Sequence, residues 1–250
     1  MNEAPAMREL LVINPNTSTA VTALLREHVQ EELGRKVRVR AVTARFGAPY
    51  IIDEASYAVA GHATLDAWAA ALAQAGPGPH AVLVGCFGDP GLLALRESSP
   101  VPVTGLAEAA FIEAARHGRF AVVTGGERWA PMLRRLAEAL GHGGSLAGIE
   151  TVAPTGADLV SDPAGARMLL AQACREAARK FGARAVILGG AGLAGIAAML
   201  QPELDVPLID SVLAGARWAL RAPPPSTDRA APGFDVRWGH VSPELEALGR

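Results

Sequence analysis

Cysteine is the residue type in this chain best suited to acid–base or nucleophilic chemistry. Cys86 follows the apolar run at residues 81–85 and precedes the tight turn Phe87-Gly88-Asp89-Pro90. A thiol between a strand and a helix N-terminus is favoured as a thiolate, because the helix end carries partial positive charge. The pattern predicts a thiol of lowered pKa that acts as a base or nucleophile. The alternative is a small buried residue packed behind a sheet, as most free cysteines are.

The remaining titratable groups give weaker signals. Cys174 lies inside a helical pattern, far from any strand end, and we interpret it as structural. The six histidines show no spacing typical of a metal site or a catalytic triad. Glu108 and Asp210 follow or end predicted strands, where a carboxylate most often caps the next helix.

Apolar strand-like runs alternate with helical patterns along almost the whole chain. This alternation indicates βαβ units and parallel sheets, so the predicted fold class is α/β. The dipeptide Asp89-Pro90 predicts a helix that begins near Pro90 with Asp89 as its N-cap. Asp162-Pro163 predicts another helix start of the same kind.

The sequence also repeats itself. Residues 81–95 resemble residues 185–199 at an offset of 104, and two shorter matches follow at offsets of 105 and 110. We predict two homologous parallel-sheet halves, one formed by residues 1–106 with 211–221 and the other by residues 107–210. Residues 222–250 are rich in proline, and we expect them to form an extended tail anchored by residues such as Trp238.

The repeat also predicts where a ligand binds. In open parallel sheets, ligands bind beyond the carboxyl ends of the strands. If the two halves face each other, four such ends converge on one site. The residues at these ends are Asn14, Cys86, Thr124 and Gly190.

Composition restricts the function classes. The chain has 250 residues, of which 50% are hydrophobic and 19% charged, and its net charge is −2. These values exclude disorder of the whole chain and argue against a nucleic-acid or membrane-surface binder. No apolar run reaches the length of a membrane-spanning helix, and the first ten residues lack the apolar region of a secretory signal. We therefore expect a soluble cytoplasmic protein without a disulfide framework.

One motif suggests a nucleotide site. Residues 190–195 match G-x-G-x-x-G after a predicted strand, with Asp210 twenty residues further on. The helix that follows is too short for the usual crossover, and Pro207 lies in the next predicted strand. The segment also repeats the Cys86 turn, so we do not favour nucleotide binding.

Four motifs, in this order, resemble the aspartate/glutamate/hydantoin racemase superfamily, and most of all its hydantoin and allantoin racemases. They are Ile13-Asn-Pro-Asn-Thr-Ser18, Gly85-Cys-Phe-Gly-Asp-Pro-Gly91, Val122-Val-Thr124 and Leu188-Gly-Gly-Ala-Gly192. The resemblance implies two Rossmann-like domains related by a pseudo-twofold axis, an active site between them and no cofactor. It also implies one cysteine per half: one thiolate removes the α-proton of the substrate, and the opposite thiol returns a proton on the other face.

The resemblance assigns the first acid–base position to Cys86, whereas the second falls on Gly190, which has no ionisable side chain. It implies that the asparagine and threonine turns bind carboxylate, amide or ring carbonyl groups. The residues that we expect to line the pocket with Gly190 are Asn14, Phe87, Thr124, Gly125 and Ala191.

The function expected from this resemblance is proton transfer at a carbon next to a carbonyl, in a hydantoin, a ureide or an amino-acid-like substrate. Racemisation would be impaired, because only one of the two cysteines is present. The alternatives are a one-thiol decarboxylase or a cis–trans isomerase of the same superfamily, or a non-catalytic binder of small carboxylates. The expected partners are a small-molecule substrate and, in a homo-oligomer, further copies of the chain.

Overall fold

The computed structural model describes residues 7–152, 163–224 and 233–249. There the chain forms two four-stranded parallel sheets with helices packed against them, which confirms the predicted α/β fold class. The first sheet contains β1 (Arg8–Asn14), β2 (Val37–Thr43), β3 (Ala81–Val84) and β4 (Val103–Gly105). The second contains β5 (Phe120–Gly125), β6 (Leu146–Val152), β7 (Ala185–Gly189) and β8 (Leu208–Asp210).

Both sheets have the same strand order, which is the structural counterpart of the sequence repeat. The order is β2-β1-β3-β4 in the first sheet and β6-β5-β7-β8 in the second. Ile13 of β1 pairs with Val84 of β3, and Thr124 of β5 pairs with Gly189 of β7. The central strands are buried on both faces, as is typical of apolar runs in parallel sheets.

Helices connect the strands, and some of them begin at a residue whose side chain caps the helix. In chain order they are α1 (Thr19–Leu33), α2 (Glu54–Leu72), α3 (Leu92–Ser98), α4 (Leu106–Ala115), α5 (Trp129–Ala139), α6 (Pro163–Phe181), α7 (Ile196–Leu200), α8 (Ser211–Ala219) and α9 (Pro243–Glu246). The Ser18 hydroxyl caps α1, and the Asp53 carboxylate accepts the N–H of Ser56 at the start of α2. The predicted N-cap Asp162 lies outside the described residues. None of the described helices is long and apolar enough to cross a membrane.

A hydrophobic core runs through both halves and fixes them against each other. Phe111 of α4 stacks on Phe120 of β5 with their ring centroids 5.6 Å apart. Helix α8 packs against the first half, where Gly215 permits a close approach. A Cβ at that glycine would lie 2.8 Å from Leu106 Cδ2 and 3.1 Å from Leu83 Cδ1. The division of the chain at residues 106 and 210 stays a prediction.

The end of the chain packs against the first half. Phe234 stacks on Trp68 of α2 at 5.9 Å between ring centroids, and Trp238 contacts Phe234 at 5.8 Å. The Arg45 guanidinium pairs with Glu244 of α9 at 3.0 Å. Within residues 233–249 the segment is thus docked and partly helical, with the predicted anchor Trp238 in place. Residues 225–232 of the predicted tail lie outside the described part.

Candidate active site

A cavity of about 390 Å³ lies between the two halves, beyond the carboxyl ends of β1, β3, β5 and β7. It is the place where the predicted strand ends converge. The structure brings six of the predicted site residues to its wall: Cys86, Phe87, Thr124, Gly125, Gly190 and Ala191.

Asn14 lies behind this wall instead of lining it, which corrects the expectation for that residue. Its side chain is fully buried and donates from Nδ2 to Asn16 Oδ1 at 2.8 Å and to Thr22 Oγ1 at 3.0 Å. Its Oδ1 accepts the N–H of Asn16 at 3.2 Å. Asn14 therefore holds the turn that places Asn16 at the cavity. In the sequence, either asparagine of the Asn14-Pro-Asn16 turn could bind a ligand. Only the contacts in the folded structure show that Asn14 is buried and that Asn16 lines the cavity.

Several lining residues were not singled out from the sequence. Tyr50 and Ile51 come from the loop between β2 and α2, and Trp129 comes from the start of α5. Val21 and Leu24 of α1 complete an apolar side of the cavity. Such residues carry no sequence signal, because apolar and aromatic side chains near strand ends are equally typical of a core.

The turn that carries Cys86 is held from several sides. Cys86 is 8% exposed, and its carbonyl accepts the N–H of Asp89 at 3.0 Å. The Tyr57 hydroxyl donates to the carbonyl of Gly88 at 2.8 Å. Gly88 has a φ of 147°, and a Cβ there would collide with the ring of Trp129. The backbone around the thiol is therefore packed against α2 and α5.

The helix after this turn begins later than the sequence predicts. Helix α3 begins at Leu92, two residues beyond the expected start at Pro90, and Asp89 does not cap it. The Asp89 carboxylate instead accepts the N–H groups of Ala107 at 2.9 Å and Glu108 at 2.8 Å, in the first turn of α4. The Asp-Pro pattern predicts a cap on the next helix. In the structure the carboxylate instead satisfies unpaired N–H groups at the start of α4, which lies further along the chain.

This arrangement also corrects the expectation of a lowered pKa for the thiol. Burial and the Asp89 carboxylate both raise the pKa of Cys86 above its ordinary value. Burial raises the pKa of Asp89 to about 7, against the opposing effect of the N–H groups that it accepts. Cys86 is thus a protonated thiol near neutral pH.

The other cysteine is structural, as predicted. Cys174 of α6 is fully buried in a core cluster with Val123 and Val186, away from the cavity. Burial raises the pKa of its thiol to about 12.

The turn equivalent to that of Cys86 in the second half, residues 189–193, carries no acid or base. Gly190 has a φ of 150°, a conformation that favours glycine, and its N–H donates to Ser211 Oγ at 3.2 Å. A Cβ added there would lie 3.4 Å from both Cγ and Cδ1 of Leu193. At Gly189 a Cβ would collide with the ring of Phe87, which lies directly against this strand end. Backbone and apolar side chains thus form this side of the cavity.

The glycine-rich segment at residues 190–195 is explained by packing and capping. The Asp210 carboxylate accepts the N–H groups of Val212 at 2.9 Å and Gly195 at 2.7 Å. It caps α8 and ties down the loop, so the resemblance to a nucleotide motif has a structural cause.

Residues 10–219 match the family model described as Asp/Glu/Hydantoin racemase. The chain belongs to this racemase family. It is 32% identical over 213 residues to a hydantoin racemase of Pseudomonas sp. (strain NS671), a match that covers 84% of each chain. It is 33% identical over 211 residues to a hydantoin racemase of Paenarthrobacter aurescens, covering 84% of this chain and 89% of the relative.

Solved structures agree with the racemase-family assignment. An allantoin racemase from Klebsiella pneumoniae matches with a TM-score of 0.85 at 30% identity, covering 97% of this chain and 99% of that chain. The resemblance identified from the four motifs is therefore confirmed, and so is the prediction of a racemase-like enzyme.

Proposed function

We propose that this racemase-family enzyme transfers a proton at a carbon next to a carbonyl group, with Cys86 as its catalytic acid–base side chain. The observation that carries the proposal is the contrast across the cavity. Cys86 lies at one wall, and Gly190 and Leu193 lie at the opposite turn. A thiol is therefore available on one side of a bound substrate and is missing at the equivalent turn on the other.

The proposed reaction needs only this thiol. The Cys86 thiolate accepts the proton of the α-carbon, whose electron pair becomes an enolate spread onto the neighbouring carbonyl oxygen. The thiol so formed exchanges its proton with solvent, donates a proton to the same carbon and becomes a thiolate again. Hydrogen-bond donors at the enolate oxygen stabilise the intermediate.

The cavity wall offers such donors. The Oδ1 atom of Asn16 already accepts the N–H of Ser18 at 2.9 Å and the side chain of Asn14, so we assign its amide nitrogen to a substrate carbonyl. We assign the Thr124 hydroxyl, at the end of β5, to a second carbonyl or ring N–H. Two such contacts would fix the plane of the substrate relative to the thiol.

The lining favours an uncharged substrate. Among the residues that the structure describes, those at the cavity wall carry no charged side chain. A free amino acid would bring an ammonium and a carboxylate into this site without ion-pair partners, which is costly. A hydantoin or related cyclic ureide, as named for the relatives, presents neutral amide and carbonyl groups. We therefore propose that the substrate is a cyclic ureide with an apolar substituent. We also propose that the enzyme acts in the cytoplasm as a homo-oligomer.

Solvent-deuterium exchange tests the proposal. The enzyme is incubated in deuterated water with 5-substituted hydantoins, allantoin and free amino acids, and α-deuterium is measured by mass spectrometry against a no-enzyme control. We expect deuterium in the cyclic ureides and none above background in the amino acids. Cys86→Ser should remove the exchange.

Two outcomes would contradict the proposal. Exchange that survives in Cys86→Ser would show that another group moves the proton. Thermal stabilisation by the ureides in both proteins, without exchange in either, would support the non-catalytic binder instead.

A further inference from the structure

The two halves cap equivalent helices with carboxylates that come from different positions. In the first half, Asp89 accepts the N–H groups of Ala107 and Glu108 in α4. In the second half, Asp210 accepts the N–H groups of Val212 and Leu213 in α8. The donor residues correspond to each other at the repeat offset of 105. The cap is thus conserved within the molecule, while the residue that supplies it is not.

The backbone of the first half accommodates a capping carboxylate at position 89 instead of position 105. Gly105 occupies the position that corresponds to Asp210, and a Cβ on it would collide with the carboxyl group of Asp89. Asp89 is 2% exposed and has a φ of 52°, which is unfavourable for an aspartate. The chain therefore accepts backbone strain to bring this carboxylate into the Cys86 turn, although a cap from position 105 would satisfy the helix.

In the part of the chain that the structure describes, few charged or titratable groups surround Cys86 and Asp89. From α2, Tyr57 donates its hydroxyl to Gly88, within the same turn. From α4, Glu108 lies beside Asp89, and it is paired with Arg96 of α3 and accepts the Thr104 hydroxyl at 2.8 Å. Glu108 adds negative charge near Asp89, and its pairing with Arg96 offsets part of that charge.

We propose that Asp89 is a positioning residue that keeps Cys86 in its protonated form. Its buried carboxylate lies in the same turn, three residues after Cys86, and adds negative charge there. Most Cys86 is then a thiol at neutral pH, and the thiolate that removes the α-proton is the minor form. This inference rests on the proposed function. The protonation state of the thiol is measured without substrate, so the role of Asp89 and the proposed proton transfer can each fail independently.

The direction of the electrostatic effect agrees with this role. Burial is the larger cause of the raised pKa of Cys86, and the Asp89 charge is the second. Because the pKa of Asp89 is about 7, its carboxylate is ionised throughout the alkaline range in which the thiol titrates. Removing the charge should therefore lower the pH at which the thiolate forms.

The test is a pH titration of the thiolate by its ultraviolet absorbance, in the whole protein. The matching Cys86→Ser variant is subtracted in each case, which removes the signals of the tyrosines and Cys174. We expect Asp89→Asn to move the midpoint at least about one pH unit lower. Asp210→Asn removes a buried capping charge from the half that lacks Cys86, and it should leave the midpoint unchanged.

An unchanged or higher midpoint in Asp89→Asn would overturn the proposal, as would an equal shift in Asp210→Asn. If Asp89→Asn does not fold by circular dichroism, a second pair separates charge from capping. Asp89→Ala/Gly105→Asp and Asp89→Ala/Gly105→Asn both place a capping oxygen at position 105 and differ in charge. The aspartate version should have the higher midpoint, and equal midpoints would contradict the proposed role.

Discussion

The Cys86 turn and the Gly190 turn occupy equivalent places in the two halves, yet they differ in nearly every chemical respect. The first turn holds a thiol and a buried carboxylate three residues later. The second holds Gly190 and Leu193 at the matching positions, and its capping carboxylate has moved to Asp210. The backbone frame of a twofold site is thus retained, while a thiol is present at one of the two turns.

This difference shows how a repeated fold becomes functionally asymmetric. Sheet order is the same in both halves, and the helix after the fourth strand begins at a carboxylate cap in each, because packing and unpaired N–H groups impose them. The side chains that face the cavity are under no such constraint. A glycine in place of a thiol is compatible with the same fold, and in the proposed function it limits protonation to one face of the substrate.

The largest expected effect comes from removing the thiol. Cys86→Ser should reduce α-proton exchange by about 10²–10⁴-fold, the usual contribution of a general acid–base group. Cys174→Ser is the matched control, and it should retain exchange because Cys174 lies in the core of the second half. Exchange rates for both variants are measured by mass spectrometry. Equal losses in the two variants would remove the distinction between the turns.

The pH dependence of exchange should reflect the raised pKa of Cys86. Removing the α-proton requires the thiolate, whose fraction rises about tenfold per pH unit below the thiol pKa. The exchange rate should therefore climb between about pH 7 and pH 9 without reaching a plateau. The rise should be shallower near pH 7, where Asp89 ionises and disfavours the thiolate. A plateau at neutral pH would indicate a lowered thiol pKa instead.

Restoring a thiol at the second turn should sharpen the comparison. Gly190→Cys should raise the ratio of racemisation to exchange about tenfold over Gly190→Ala, because a second acid then faces the opposite side. Both variants carry a Cβ at a φ of 150°, so each should lose about 1–3 kcal/mol of stability. Chiral chromatography measures racemisation. Equal ratios in the two variants would mean that position 190 does not face the reacting carbon.

The two asparagines of the first turn should separate stability from binding. Asn14→Ala should lower the free energy of unfolding by about 1–3 kcal/mol, because it leaves buried groups unpaired. Asn16→Ala should instead raise KM about fivefold, in line with the loss of one neutral hydrogen bond. Denaturant unfolding and steady-state kinetics measure the two effects. A KM effect from Asn14→Ala with unchanged stability would reverse these roles.

The fold was predictable because its signals are local and repeated. Apolar runs such as residues 81–85 mark buried strands, and the offsets of 104, 105 and 110 relate the two halves. The same repeat predicted that Cys86 and Gly190 lie at strand ends around one cavity. The comparison of the two turns was therefore accessible from the sequence.

The details that were missed depend on contacts between distant residues. Asp89-Pro90 has the local pattern of a helix start. The Asp89 carboxylate nevertheless caps helix α4, 18 residues further along the chain, at Ala107 and Glu108. The thiol pKa is raised and not lowered chiefly because the folded chain buries Cys86, and the Asp89 charge is the second cause. The exchange of roles between Asn14 and Asn16 likewise depends on which side chain the turn buries.

The most direct measurement follows the configuration of the substrate during exchange. Each enantiomer of a slowly racemising 5-substituted hydantoin is incubated separately with the enzyme in deuterated water. Chiral chromatography with mass spectrometry then reports label and configuration together. With one thiol on one face, we expect one enantiomer to gain deuterium with its configuration retained. Label that appears equally in both configurations, from either enantiomer, would contradict a one-sided site.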